Sequence, residues 1–572
     1  MTRIAIDPIT RIEGHLRIEA SVDGGVVSDA WSSSTMFRGM EIVLRNRDPR
    51  DAWLFAQRIC GVCTTVHALA SVRAVEDAVG AVPPLNARLI RNIIAGTQYV
   101  QDHVIHFYHL HAFDWVDAAA ATKADPAATS RLAQSISAWP KSSAAYFKGI
   151  RDKIKAIVTS SQPSLFANGY WGHPAYRLSP EANLLLVAHY LEALEWQREV
   201  VRIHAILGGK NPHPQTYLVG GMAIPIDPNS QAALNMERLD TLRGLLQSAQ
   251  TFVEQVYVPD AVLAASHYPE WFNYGAGHGN YMAYGDFAEP ASDVANYRYA
   301  RGIVRPAKGM HVEGVDQAKV AEYVTRSWYT YPDERSALHP FAGETDPKYT
   351  GPQPPYDFLD VDHKYSWLKA PRYADEVMEV GPLARLLVSY AAGRPDVKKV
   401  VDNALGALKL KPAALSSTMG RVVARVLETQ LMIGWLLEWD DQLVTNIVHG
   451  DLRVHDGSRW EPSSWPKECE GWGSHEAPRG SLGHWVRIKN EKIENYQCVV
   501  PTTWNASPRD AHGVRGPYEA SLVGTPVADP NRPIEILRTV HSFDPCMACA
   551  VHVLDPNGGL IVRVDADRGA GW

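Results

Sequence analysis

Apolar and polar residues alternate at the start of the chain. Arg3–Ile6, His15–Val22 and Val26–Ser32 change face at every step, with Asp23-Gly24-Gly25 between the last two. A period of two around a glycine turn predicts a small antiparallel sheet. The period then lengthens. Residues 50–58 and 65–79 have helical spacing, separated by Arg58-Ile59-Cys60-Gly61-Val62-Cys63. Pro84 opens a long helix, with apolar residues at Leu89, Ile93, Ile94, Val100, Val104, Phe107 and Leu110. Further helices are predicted over 129–157, 180–207, 229–256, 379–406 and 412–438. Residues 260–375 read as a loop-rich insert, heavy in Gly, Pro, Tyr and Asp. After 440 the period of two returns, with Ser481–Ile488 and Lys492–Val500 flanking Lys489-Asn490-Glu491. The pattern predicts an α+β fold, mainly α: a long-helix bundle with small antiparallel sheets from the N- and C-terminal regions.

Composition narrows the class. Apolar residues make up 46% and charged residues 21% of 572, which supports a sizeable core and excludes global disorder. A net charge of −7 argues against nucleic acid as a partner. No uninterrupted apolar run approaches the roughly 18–20 residues of a membrane span. The richest stretch, Val422–Leu437, is broken by Arg425, Glu428 and Gln430. Met1–Pro8 reads as a strand rather than a signal peptide.

The cysteines change the picture. There are six: Cys60, Cys63, Cys469, Cys498, Cys546 and Cys549. That is too few for a disulfide scaffold. Four form two Cys-x-x-Cys pairs, one near each end. Two pairs offer four soft thiolates, suited to zinc, nickel, copper(I) or an iron–sulfur cluster. A structural zinc site draws its pairs from within tens of residues, to staple a small fold. These pairs lie at opposite ends of a large chain. A thioredoxin-like site needs a βαβ context, which neither pair has.

Proton- and anion-handling residues recur in short strings: Arg11-Ile12-Glu13-Gly14-His15, His67 after the first pair, and Glu476-Ala477-Pro478-Arg479-Gly480 before the late hairpin. His103, His106, His109 and His111 stud one helix, followed by Asp114. At that mixed spacing the histidines read as hydrogen-bonded interior groups rather than ligands.

Arg58-Ile-Cys-Gly-Val-Cys-Thr-Thr-Val-His67 and Asp544-Pro-Cys-Met-Ala-Cys-Ala-Val-His552 resemble the first and last signatures of the nickel–iron hydrogenase large subunit. The likeness spans essentially the whole chain. It includes Arg11–His15, Phe37–Glu41, His106–Asp114, Gly208–Pro214, Glu476–Trp485 and Pro501–Trp504, and is greatest for the respiratory, H2-uptake group. The resemblance implies that Cys60 and Cys546 bind nickel terminally. Cys63 and Cys549 would bridge nickel to an iron carrying carbon monoxide and cyanide, a Ni-Fe(CN)2(CO) centre. Glu41, the carbonyl of Cys498 and His552 match a buried Mg2+ site. Many relatives have an apolar residue at the Cys498 position, which a main-chain ligand tolerates. Pro478, Arg479, Thr502 and His67 would surround the centre, with Asp114 and Asp544 holding the Arg479 head. His213 reads as structural.

Cleaving H2 requires a metal to take the electron pair and a base to take the proton. The Cys546 thiolate and the Arg479 guanidine are both candidates for that base, and Glu13 is the candidate first relay. Electrons must then leave. An iron–sulfur cluster takes about four cysteines. Only Cys469 and Cys498 remain, so a partner with iron–sulfur clusters is expected. The resemblance supplies it: a small iron–sulfur subunit, a membrane cytochrome b, nickel-insertion proteins and a maturation endopeptidase. It implies that the pair is exported together to the periplasmic side of the membrane. Residues 1–552 are expected to form one interlocked domain. Residues 553–572 resemble the extension cut off after His552 on maturation. A complex I quinone-site subunit would lack the four cysteines, and a non-catalytic H2 sensor would lack the extension.

Overall fold

The computed structural model describes residues 2–160, 166, 169–288, 296–353 and 355–550. The alternating N-terminal segments form an antiparallel sheet of β1 (Thr2–Ile6), β2 (Leu16–Asp23) and β3 (Val26–Ser34). Ile18 and Ala20 of β2 share a core with Ile536, Val540 and Met547 near the other end of the chain.

The long helices that matter for the site are α1 (Val66–Val79), α2 (Leu85–Ile105), α3 (Pro126–Ile136), α4 (Ala144–Val158), α5 (Pro180–Val200), α6 (Met236–Phe252), α7 (Pro382–Ala391), α8 (Pro395–Leu408) and α9 (Thr418–Val448). α9 packs along α2, and the two contribute Ile90, Ile94, Val426 and Ile433 to the largest core cluster. Two stretches read as single helices are pairs. The 129–157 stretch breaks between Ile136 and Ala144, where Pro140 has no N–H to donate, and Ser143 caps the second helix through the Tyr146 N–H. The 379–406 stretch breaks at Gly393, and Pro395 opens α8. Conversely, α9 runs ten residues past its predicted end at 438. Asp440 stays helical and buried because Arg243 of α6 meets it at 2.7 Å.

The insert over 260–375 has more order than expected. It carries β4 (Tyr281–Ala283), β5 (Gly302–Arg305) and β6 (Gly309–Glu313) in one sheet, and β7 (Val320–Tyr323) with β8 (Ala370–Tyr373) in another. The late sheet has three strands, not two: β9 (Glu468–Ala477), β10 (Gly480–Lys489) and β11 (Lys492–Val499). β9 lies flat on α1. A Cβ on Gly471 would sit 2.1 Å from the Ala74 carbonyl oxygen, and one on Gly473 2.0 Å from that of Ala70. Two short helices close the described chain, α10 (Ile534–Ser542) and α11 (Met547–Ala550).

Candidate metal centre

The first cysteine pair sits on the loop between a short helical turn, Gln57–Ile59, and α1. Several contacts fix that loop. Arg38 donates to the carbonyls of Arg58 and Ile59 at 2.8 and 2.6 Å. His213 bonds the Cys60 carbonyl at 2.8 Å. The amides of Val62 and Cys63 donate to the Cys60 sulfur at 3.3 and 3.2 Å, an arrangement that favours thiolate.

The second pair is brought in by the N-terminus. Glu13 donates its N–H to the Pro545 carbonyl at 3.4 Å, and its carbonyl accepts from the Met547 N–H at 2.7 Å. Gly14 permits this approach: its φ is +84°, and a Cβ there would lie 2.5 Å from the Ala548 nitrogen. The Cys546 N–H donates to Thr502 Oγ1 at 3.1 Å. In consequence the Cys546 sulfur lies 3.4 Å from that of Cys60 and 4.0 Å from that of Cys63. All three are buried, and their sulfurs lie within 4.8 Å of one another. The side chain of Cys549, and all of His552, lie outside the described residues.

Val66, Leu482 and Val500 wall the cavity beside these sulfurs, with Pro478, Thr502 and His67. Arg479 enters it from the turn between β9 and β10. Its Nε donates to the Asp544 carbonyl and its Nη2 to Asp544 Oδ1, both at 3.0 Å, while Nη1 meets Asp102 Oδ2 at 3.1 Å. Burial works against the guanidinium charge, but Asp544, Cys546, Asp102 and Cys63 outweigh it and hold the group firmly protonated. Asp102 is pushed up to about 7, chiefly by burial.

The expectation that Asp114 holds Arg479 is not met. Asp114 is fully buried, but it bonds Arg11, His111 and His541. A π-helical turn, His106–His111, ends α2 and carries Asp114 away from the guanidinium. Asp102, one turn back from that junction, takes the role instead.

A family described as nickel-dependent hydrogenase matches residues 38–552 of this chain. The chain belongs to the nickel-dependent hydrogenase family. Among curated relatives it is 50% identical to the uptake hydrogenase large subunit of Rhizobium leguminosarum bv. viciae, over 98% of this chain and 97% of that protein. It is 47% identical to the hydrogenase-1 large chain of Escherichia coli K12, with the same coverage of each. Among solved structures, the Ni-Fe-Se hydrogenase of D. vulgaris Hildenborough superposes with a TM-score of 0.77 at 35% identity, covering 96% of this chain and all of that one.

The other site residues of this hydrogenase chain fall around the thiolates. Glu13 has its carboxyl in the field of Cys60, Arg479 and Arg38, and burial followed by Cys60 raises its pKa. His67 lines the cavity, and its Nδ1 contacts His484 Nε2 at 3.0 Å. His484 continues to the Tyr496 hydroxyl at 2.7 Å. Glu41 is buried, and its Oε1 accepts from the Cys498 N–H at 2.8 Å. That N–H is on the open edge of β11, and a strand residue's carbonyl points the same way as its N–H. Cys498 therefore turns its carbonyl towards the side where Glu41 lies.

Gln98 and Asp102 were not anticipated. Gln98 donates to the Val62 carbonyl at 3.1 Å and to Asp102 Oδ1 at 2.6 Å, so α2 couples the cysteine loop to Arg479. Their one signal in the sequence is their spacing, i and i+4, in line with His106 on the same helix face. Of the four helix histidines, His103, His106 and His111 are buried and His109 is half-buried. His103 bonds Glu428, His106 the His541 carbonyl and His109 the Tyr190 carbonyl.

Proposed function

We propose that this chain is the catalytic subunit of a nickel–iron hydrogenase, cleaving H2 heterolytically and working physiologically as an H2 oxidase. The observation that carries the reading is the convergence of three buried cysteine sulfurs, from opposite ends of the chain, beneath an ion-paired guanidinium. Buried sulfurs this close suit a soft cation. The cavity is apolar apart from Arg479, Thr502 and His67, which suits an iron bearing small diatomic ligands. Cys60, Cys63, Cys546 and Cys549 would hold the two metals. Thr502 Oγ1 accepts from Cys546, which leaves its own O–H to donate into the cavity, as would serve a cyanide. Glu41, the Cys498 carbonyl and His552 would hold Mg2+.

A bound nickel–iron pair supplies the electron-accepting centre at which the H–H bond is polarised. The residues do the rest. Arg479 stays charged and is pinned by Asp544 and Asp102, which favours the Cys546 thiolate as the proton acceptor. Glu13, bracketing Cys546 through the main chain, receives the proton next. Electrons leave to a small iron–sulfur subunit and from there to a respiratory acceptor such as a membrane cytochrome b. No helix among the described residues is long and apolar enough to cross a membrane. A place on the periplasmic side would be reached by export together with the small subunit. Nickel insertion and cleavage after His552 by an endopeptidase would complete maturation. The mature unit is then 1–552, with 553–572 removed.

Metal analysis and infrared spectroscopy test this together. Purified enzyme should hold about one nickel and one iron per chain and show bands from metal-bound CO and CN. Zinc alone, without such bands, would sink the reading.

A further inference from the structure

Asp114 occupies a single helical turn, Ala112–Asp114, after the π-helical turn that ends α2. It is fully buried between two segments from opposite ends of the chain. Its Oδ1 accepts from Arg11 Nη2 at 2.5 Å. Its Oδ2 accepts from His541 Nδ1 at 2.6 Å and from His111 Nδ1 at 2.8 Å. Its carbonyl accepts from Arg538 Nε at 2.7 Å. The two segments also meet directly, because His541 Nε2 bonds the Thr10 carbonyl at 2.9 Å.

His111, Asp114 and His541 have ligand atoms within 4.8 Å of one another, as a metal site would. The hydrogen bonds exclude that use. His111 Nε2 accepts from Trp115 Nε1 at 3.0 Å, so its proton is on Nδ1 and points at Asp114. His541 faces an oxygen acceptor at each nitrogen. No lone pair is left aimed at a common point, and the cluster is a clamp.

Its position gives it a task. Arg11, held in the left-handed region at φ 57°, lies two residues before Glu13. His541 lies five residues before Cys546. We propose that Asp114 is a positioning residue for proton transfer: with one carboxylate oxygen on Arg11 and the other on His541, it sets the separation between Glu13 and the Cys546 thiolate. The proposal rests on the reading of Cys546 as the proton-bearing thiolate and Glu13 as its acceptor. In that step the proton leaves Cys546 Sγ and Glu13 becomes a carboxylic acid, with no other bond changed. A shift of about 1 Å in such a pair costs on the order of a hundredfold in rate.

The test uses purified holoenzyme carrying Asp114→Asn, which keeps the shape but turns an N–H2 towards Arg11 or His541, both donors. Arg11→Lys is the milder companion; it keeps the charge but loses the fork that also reaches the Leu110 carbonyl at 2.9 Å. Nickel content, kcat per nickel, KM for H2 and the solvent deuterium isotope effect are measured on each. The expected result is retained nickel, an unchanged KM, kcat lower by roughly 10–100-fold in Asp114→Asn and less in Arg11→Lys, and a larger isotope effect in both. If Asp114→Asn does not fold, Arg11→Lys alone decides. Wild-type kcat and isotope effect in a nickel-loaded variant would overturn the proposal, as would activity that merely tracks nickel loss. Wild-type protein without nickel would sink the underlying reading instead.

Discussion

A single carboxyl shows how the centre works at the scale of one residue. Burial raises the pKa of Glu13 and the field of Cys60 adds to this, while Arg479 and Arg38 pull the other way; the net shift is upward. A proton relay must accept and release in turn, so a pKa moved towards the working pH serves it. Glu13→Gln keeps the size and the main-chain contacts but cannot change its protonation. It should retain nickel, iron and the infrared bands while turnover falls by about 10²–10⁴-fold. An H2-uptake assay on metal-assayed enzyme checks this, and near-normal turnover would refute the relay. At this scale the sequence was legible where chemistry resides in residue type. The two cysteine pairs stand out by type and spacing, whereas Glu13, His67 and Arg479 were picked out by the family resemblance of their strings; among the described residues Cys60, Cys63 and Cys546 do converge, with His67 and Arg479 lining the same cavity. Asp102 and Gln98 did not stand out, because a polar residue on a helix looks alike whether it faces solvent or a guanidinium. Asp114 was placed wrongly for a related reason. Its role came from the family resemblance of His106–Asp114, and that string carries no sign of the π turn that re-aims Asp114.

At the scale of elements, a buried ion cluster joins three helices to the turn that presents Arg479. Arg385 of α7 grips Glu428 of α9 at 2.7 Å through both Nε and Nη2, and meets Glu476 of β9 at 2.9 Å. It also donates to the carbonyls of Ala477 and Pro478 at 2.7 and 2.9 Å. His103 of α2 bonds the same Glu428 at 2.7 Å. Burial opposes the Glu428 charge, but Arg385 and His103 prevail and bring its pKa to about 2. The unfolded value is about 4.3, so the stabilisation is fully present above that pH and is lost as pH falls towards 2. Glu428→Gln should therefore destabilise the neutral protein by about 3–5 kcal/mol, because Arg385 is left with half its counter-charge. Thermal melts of both proteins between about pH 4.5 and 2 should show the gap in Tm closing as the pH drops. A gap that stays constant would mean the cluster is neutral in the folded chain. Long helices such as α2 and α5 were legible from their apolar spacing and length. β9 was not. Its Gly471 and Gly473 face the alanines of α1 with no side chain, so neither an apolar alternation nor a β-branched run marks it as a strand.

For the whole molecule, the informative fact is that the ends meet. Cys63 and Cys546 are 483 residues apart in sequence, and closing such a loop costs about 5 kcal/mol in chain entropy. Protein contacts already offset that cost. The N-terminal sheet shares its core with α10, the Asp114 clamp ties Arg11 to His541, and Glu13 brackets Cys546. Outside the two pairs there are only Cys469, opposite Ile488 in the late sheet, and Cys498, opposite His484. Two cysteines are too few for an iron–sulfur cluster, which supports the proposed exit of electrons through another chain. The same reasoning limits what the metals do for stability. If protein contacts hold the ends, stripping nickel and iron should leave the bundle folded and loosen only the last segment. Hydrogen exchange of metal-free protein should then quicken at the amides of Cys546 and Met547, while α2 and α9 keep their protection. Exchange rising throughout α2 and α9 would show instead that the metal site, rather than the sheet and the clamp, closes the chain.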